Sequence, residues 1–330
     1  MNNIMENQEM LPACLYSLGR EIGEGGYSTV NICQHLESGI LFAVKILPGE
    51  DAGAFDQEVC LLKKLQDIEA PFTKLVDLFR AGGKNYIVMD LASGGDMWTW
   101  VKTKSYLTEG TMIKIIHQLL QALAICHENG IVHRDVKPEN IVIEDLQNDE
   151  PSKALLCDFG LALTLGPGGK LTVDGEPGTL GYQAPEIFHE SGSLEYGFGV
   201  DMWAIGVSAF FMITGDLPFN PRFGTEEYLE DCSEFPSICC SKAVEIFLRC
   251  CLTVDPAQRW TAREALQYHI FEGLPEFTET VEKKVSRDIT KMRCKTSALP
   301  EPMRAEGEEE WEKGEEESDS GSGSTFPMTD

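Results

Sequence analysis

Three oxygen-bearing side chains lie close together in the middle of the sequence. Asp135 and Asn140 are five residues apart, and Asp158 sits between Cys157 and the pair Phe159-Gly160. Pro138 stands between the first two and prevents a regular helix there, so a loop must bring them together. One carboxylate able to orient a hydroxyl, with an amide oxygen and a second carboxylate of the hard-oxygen kind that Mg²⁺ prefers, is the minimum set for phosphoryl transfer. Each residue alone reads as an ordinary turn carboxylate or amide. Jointly, in this order, they point to chemistry.

Two further segments could handle an anionic ligand. Ile22-Gly23-Glu24-Gly25-Gly26-Tyr27-Ser28-Thr29-Val30 is glycine-rich, and glycines without Cβ let backbone amides approach phosphates. An isolated run of this kind is also an ordinary hairpin turn. No Gly-Lys-Ser/Thr follows it, so it is not a P-loop. Val30-Asn31-Ile32-Cys33 reads as a strand rather than a helix, which disfavours a dinucleotide fold. Downstream, Phe42-Ala43-Val44-Lys45 ends an apolar run in a lysine, which elsewhere would be a snorkelling edge residue. Glu58, on the helix expected next, is one partner for Lys45, and Glu50 is the other.

The elements that must position these groups fall into two compositional halves. From Tyr16 to about Leu91, Gly-rich turns separate short apolar stretches such as Leu41–Val44 and Tyr86–Met89, a strand pattern. One helix interrupts them, with Phe55, Val59, Leu62 and Leu65 at helical spacing. From Asp96 onward helices dominate. The strongest runs over 109–129, with Thr108 as N-cap and Gly130 as the stop, and another spans 201–214.

Composition narrows the class. The chain has 330 residues, 42% of them hydrophobic, enough for a substantial core in about two folding units. Acidic residues number 54 against 27 basic, a net charge of −27. That disfavours a nucleic-acid binder, which needs a basic footprint. The longest apolar run, Trp203–Ile213, is too short to span a bilayer, and the first residues lack the pattern of a signal peptide. Eleven scattered cysteines without a CxxC repeat fit reduced thiols in a cytoplasmic protein, and a nuclear location is the secondary alternative. Oligomeric state leaves no mark on the sequence.

Taken in order, these motifs closely resemble the eukaryotic protein kinase family from about Tyr16 to Phe271. The set comprises the glycine-rich loop, Ala43-Val44-Lys45, His133-Arg134-Asp135, Asp158-Phe159-Gly160 and Ala184-Pro185-Glu186. Asp201-Met202-Trp203-Ala204-Ile205-Gly206 and Arg259 extend it. The resemblance implies an α+β, bilobal protein-kinase fold: a small β-rich N-lobe with one major helix, and a larger, mainly α-helical C-lobe. It implies a kinase domain over 16–272, divided into 16–91 and 92–272, after an N-terminal extension at 1–15.

The same resemblance implies the site. ATP and Mg²⁺ are the expected cofactors. Lys45 would grip the α- and β-phosphates, braced by Glu58, with Asn140 and Asp158 on Mg²⁺. Asp135 would orient the substrate hydroxyl and Lys137 would neutralise the transferring phosphate. Residues 22–28 would cover the nucleotide, with Val30, Ala43 and Val142 around the adenine, Met89 as gatekeeper and Asp90 to Ala92 as hinge. Leu62, Leu75, Phe159 and His133 would stack as a spine. Asp201 would anchor the catalytic loop and Arg259 would pair with Glu186.

Lys137 and Gly178-Thr179-Leu180-Gly181-Tyr182 resemble the serine/threonine branch, so the expected partners are proteins bearing Ser or Thr. Asp96 and Glu139 match positions that contact a basic residue upstream of the target hydroxyl. A pseudokinase scaffold and a small-molecule phosphotransferase are the alternatives. Arg134 would bind an activation-loop phosphate, but Gly175 stands at the frequent phosphosite. Asp174 or Glu176 is therefore expected to substitute for that phosphate, with Thr172 as the rival switch.

Two segments follow. Residues 273–299 read as a linker, a final helix packed on the large lobe, or a basic amphipathic helix, with Val281, Val285, Ile289 and Met292 on one stripe and six cations around it. Over 281–295 an amphipathic helix would be a candidate site for a regulatory partner such as calmodulin, or an autoinhibitory element. Residues 300–330 carry 11 acids and 2 bases, an acidic tail expected to be disordered.

Overall fold

The computed structural model describes residues 9–11, 15–26, 28–50, 52–104, 106–166, 171–173, 178–188, 194–220, 225–279, 283–284, 286–288 and 290–291. The acidic tail lies outside them, as do Tyr27, Asp174, Gly175, Glu176 and the apolar stripe Val281, Val285, Ile289 and Met292.

The first half of the chain builds one antiparallel sheet. Its strands are β1 (Glu9–Met10), β2 (Tyr16–Glu24), β3 (Thr29–His35), β4 (Leu41–Pro48), β5 (Leu75–Ala81) and β6 (Lys84–Asp90), in the order β1-β2-β3-β4-β6-β5. Between β4 and β5 comes α1 (Ala52–Leu65). Both faces of the sheet are covered, which explains the continuous apolar runs of β4 and β6. Phe42, Val44, Tyr86 and Val88 join Tyr16 and Cys33 in one buried cluster. Their alternates Ala43, Ile87 and Met89 join Phe55, Val59, Leu62 and Leu65 of α1 in another. Period-two alternation therefore puts Lys45 on the same face as Ala43, the face toward α1.

The second half is mainly helical: α2 (Met97–Thr103), α3 (Glu109–Glu128), α4 (Gly199–Thr214), α5 (Thr225–Ser233), α6 (Lys242–Cys251) and α7 (Ala262–Leu266). Thr108 caps α3, accepting from the Thr111 amide at 3.2 Å, and Gly130 turns the chain away at φ 72°. The α4 helix is buried on nearly every side, so its sequence shows no polar face.

Short strands also occupy this half. β7 (Ile131–Val132) pairs with β10 (Leu163–Thr164), β8 (Ile141–Gln147) with β9 (Glu150–Leu156), and β11 (Leu171–Val173) with β12 (Leu194–Tyr196). The β8–β9 hairpin goes beyond the helical expectation for this region. Its signal is the alternation of buried Ile141 and Ile143 around half-buried Val142. No helix among the described residues is long and apolar enough to cross a membrane.

Candidate active site

Lys45 projects from β4 toward two carboxylates, the buried Glu58 and the partly open Asp158. Its Nζ lies 2.8 Å from Glu58 Oε2 and 2.7 Å from Asp158 Oδ1. Glu58, not Glu50, is the partner because it shares the inward face of α1 with Phe55, Val59 and Leu62. Burial opposes a charge on Lys45, but Asp158 and Glu58 outweigh it and hold the lysine pKa above its ordinary value. Burial likewise works against the Asp158 carboxylate, yet Lys45 and the Gly160 amide keep its pKa low. The carboxylate is ionised, and 43% of its side-chain surface stays open toward the cleft although dense protein surrounds it.

The loop from His133 to Asn140 hangs from Asp201 of α4. The His133 and Arg134 amides donate to the two Asp201 oxygens at 2.9 and 2.8 Å, and His127 lies 2.9 Å away. Arg134 takes φ 67° and Asp158 φ 62°, a left-handed conformation that costs energy outside glycine. Asp201 offsets the strain at Arg134 with two charged hydrogen bonds. Pro138 opens a single 3-10 turn, Pro138–Asn140, which swings Asn140 back onto Asp135. Asn140 Nδ2 then donates to the Asp135 carbonyl at 2.8 Å and to Asp135 Oδ2 at 2.9 Å. Lys137 Nζ sits 2.8 Å from the same Oδ2.

Thr179 completes this group. Its hydroxyl donates to Asp135 Oδ1 at 2.7 Å and accepts from Lys137 at 2.6 Å. The sequence marks Thr179 only as part of a family motif, and nothing in its spacing links it to Asp135, 44 residues away. Phe72 was also missed: its ring lies 6.0 Å from Phe159, which in turn stands 4.9 Å from His133. Leu62 and Leu75 belong to the same buried cluster as Phe159.

The oxygen donors fit a hard divalent cation. Both Asn140 amide hydrogen bonds use Nδ2, and the Asp158 bonds to Lys45 and Gly160 both fall on Oδ1. Each side chain thus keeps an oxygen for a metal. The two loops are tied together by the Cys157 amide on the Asn140 carbonyl at 2.9 Å. Two protein ligands, with phosphate oxygens and waters filling the rest, is the arrangement Mg²⁺ takes in phosphoryl-transfer sites.

Cross-strand pairing puts several of the residues expected around the adenine on one face of the sheet. Val30 pairs with Lys45 and Ala43 with Met89, so all four share the face toward α1. Asp90 ends β6, Leu91 and Ala92 follow, and Val142 of β8 is bridged to Asp96. The glycine-rich run is a hairpin turn joining β2 to β3: Gly23 pairs with Val30, Glu24 with Thr29, and the Gly25 amide donates to Ser28 at 2.8 Å. A hairpin turn leaves the expected approach of these amides to phosphates open. Ile22 at its edge is 39% exposed. Asp96 accepts from the Thr99 amide at 2.7 Å and caps α2. Glu139 is exposed near Lys137, and desolvation by the surrounding protein pushes its pKa up.

Arg259 makes a bidentate pair with Glu186, at 2.7 and 2.9 Å, with the arginine side chain fully buried. Thr172 lies in β11 opposite Glu195, while its rivals Asp174 and Glu176 fall outside the described residues. The expected apolar stripe of the basic segment lies outside the described residues; among those described, Arg287 and Thr290 are buried, and Arg287 pairs with the buried Asp90 carboxylate.

Two lobes with a lysine–glutamate–aspartate cluster beside an Asp–Asn loop define a phosphotransferase site. Residues 16–271 match the protein kinase domain. Among similar proteins is calcium/calmodulin-dependent protein kinase cmkB of Emericella nidulans, 33% identical over 77% of this chain and 65% of its own length. Another is calcium/calmodulin-dependent protein kinase type I of Schizosaccharomyces pombe, 32% identical over 80% of each. A third, calcium/calmodulin-dependent protein kinase type 1 of Caenorhabditis briggsae, is 30% identical over 85% of this chain and 79% of its own. The chain belongs to the protein kinase family, in the ATP-dependent serine/threonine branch.

Proposed function

We propose that this chain transfers the γ-phosphate of ATP to Ser or Thr hydroxyls of proteins that carry a basic residue upstream. The observation that carries the reading is the convergence at one cleft of Lys45, Glu58 and Asp158 with the Asp135–Asn140–Lys137 loop. Lys45, oriented by Glu58, binds the α- and β-phosphates. Asn140 and Asp158 would hold Mg²⁺, which when bound would neutralise phosphate charge. Asp135 accepts a hydrogen bond from the attacking hydroxyl, as it already does from Thr179, and Lys137 offsets charge on the transferring group. Residues 22–28 cover the nucleotide, and Val30, Ala43, Met89, Ala92 and Val142 line its base.

The expected substrate choice follows from charge. Asp96 and Glu139 lie near each other, and an acidic protein steers cationic peptides. A Ser/Thr peptide array should show enrichment of Arg or Lys before the target; a proline-directed or acidic preference would remove this part.

The central test compares phosphorylation of such peptides by wild type, Asp135→Asn and Asp158→Asn, alongside calorimetric ATP binding. Each variant should lose about a hundredfold or more in rate. Wild-type protein that binds ATP without transferring phosphate would indicate a pseudokinase scaffold. Transfer to small alcohols and not to peptides would indicate a small-molecule phosphotransferase. The names of the relatives and the basic segment 281–295 together support calcium-loaded calmodulin as a partner, which titration of the full chain with and without Ca²⁺ would test.

A further inference from the structure

The chain beyond the kinase match returns along both lobes. Gln121 of α3 donates to Glu276 at 2.6 Å, and the Lys153 ammonium of β9 stands 4.7 Å from the Phe277 ring. The Glu279 amide donates to Glu69, just after α1, at 2.8 Å. The helical residues that follow bring two cations to inward-facing carboxylates. Lys283 pairs with Glu144 of β8 at 2.6 Å, and Arg287 pairs with Asp90 at the end of β6 at 2.5 Å. The second Arg287 nitrogen reaches Glu279. One short segment thus holds a β-strand of each lobe.

Asp90 is where the sheet lobe hands over to the linker. Its main chain pairs with Phe42, and its amide donates to the Lys74 carbonyl at 3.1 Å. Its carboxylate is buried, accepts from the Lys74 amide at 3.4 Å and depends on a cation for charge balance. The Lys74 ammonium is nearby, but its hydrogen bonds go to the Leu65 and Ile68 carbonyls and it lies over the Phe72 ring at 4.0 Å. Arg287, itself only 7% exposed, is the cation in direct contact.

We propose that Arg287 is a positioning residue for the nucleotide. It holds the Asp90 carboxylate from outside the cleft and so fixes the linker main chain, Asp90 to Ala92, against which the purine lies. The inference rests on the ATP reading of the cleft. Its sign is opposite to that of a blocking segment: the docked segment favours nucleotide binding, and its displacement weakens it.

The test uses the full chain, with ATP affinity measured by calorimetry and the phosphorylation rate measured at saturating ATP. Arg287→Met should weaken ATP binding about tenfold and change the saturated rate less than about threefold; Arg287→Lys should restore most of the affinity. Lys284→Met, at an exposed neighbour, should leave affinity unchanged. In an Asp90→Asn background, Arg287→Met should add less than about twofold, because the charge it balanced is gone. That double variant also gives a readout if the single one fails to fold.

Unchanged ATP affinity in a folded Arg287→Met protein, or an undiminished loss in the Asp90→Asn background, overturns the inference alone. Wild-type protein that neither binds ATP nor transfers phosphate overturns the reading of the cleft, and this inference with it.

Discussion

A Cβ added to Gly160 would stand 2.7 Å from the Lys45 ammonium nitrogen and 3.0 Å from Asp158 Oδ1. A side chain here would therefore crowd the ion cluster itself. Gly160→Ala should displace Lys45 by a few tenths of an ångström or more from its two carboxylates. Misplacing catalytic groups by about 1 Å costs roughly a hundredfold, so kcat/KM should fall by one to two orders of magnitude. A thermal melt should move little, because the core beneath Phe159 is untouched. Steady-state kinetics and calorimetry on one preparation check both halves.

Thr179 gives a second expectation. Its hydroxyl bridges Asp135 and Lys137, so Thr179→Ala removes hydrogen bonds to two charged groups, each worth about 1.5–3 kcal/mol. The rate at saturating ATP should drop about tenfold or more, while ATP affinity holds. Thr179→Ser keeps the hydroxyl and should retain most of the rate. Equal losses in both variants would show that packing of the methyl group, not the hydroxyl, matters.

Arg259 and Glu186 should matter for stability. Removing one partner leaves a buried charge, at a cost of about 3–5 kcal/mol. Urea unfolding of Arg259→Met should show that loss, and Arg259→Met/Glu186→Gln should recover part of it. Full additivity of the two single changes would contradict the pairing.

Lys74 should make stability rise with pH. Burial pushes its pKa down to about 8, with Arg287 lowering it further and Glu279 and Asp90 raising it. The unfolded chain holds that proton up to the ordinary lysine value of about 10.4. Between about pH 8 and 10.4 the unfolded state thus binds more protons, so ΔG of unfolding increases across that window. Lys74→Met removes this term, so its stability relative to wild type should decline as pH rises through the same window. A constant difference between the two proteins from pH 7 to 10 would refute it.

How much of this was legible in the sequence depended on distance along the chain. The α1 stripe and the Thr108 cap are local patterns, and they locate their elements. The Asp135–Asn140 pair is legible because Pro138 forces a turn between near neighbours. The Lys45 partner stayed open between Glu50 and Glu58, since only the packing of α1 on the sheet decides which carboxylate faces inward. Thr179 on Asp135 and Arg287 on Asp90 are separated by 44 and 197 residues, and no periodicity encodes such pairings. The β8–β9 hairpin went unread because its strands are short and sit among helices.

The placement of Arg287 bears on how the protein is prepared for study. A recombinant fragment trimmed at residue 271, where the family match stops, would strip Asp90 of its counter-ion and of the side chain that covers it. If Arg287 fixes the linker as proposed, inhibitor screens on such a fragment would rank compounds against a loosened purine site, and their potencies would not transfer to the intact polypeptide.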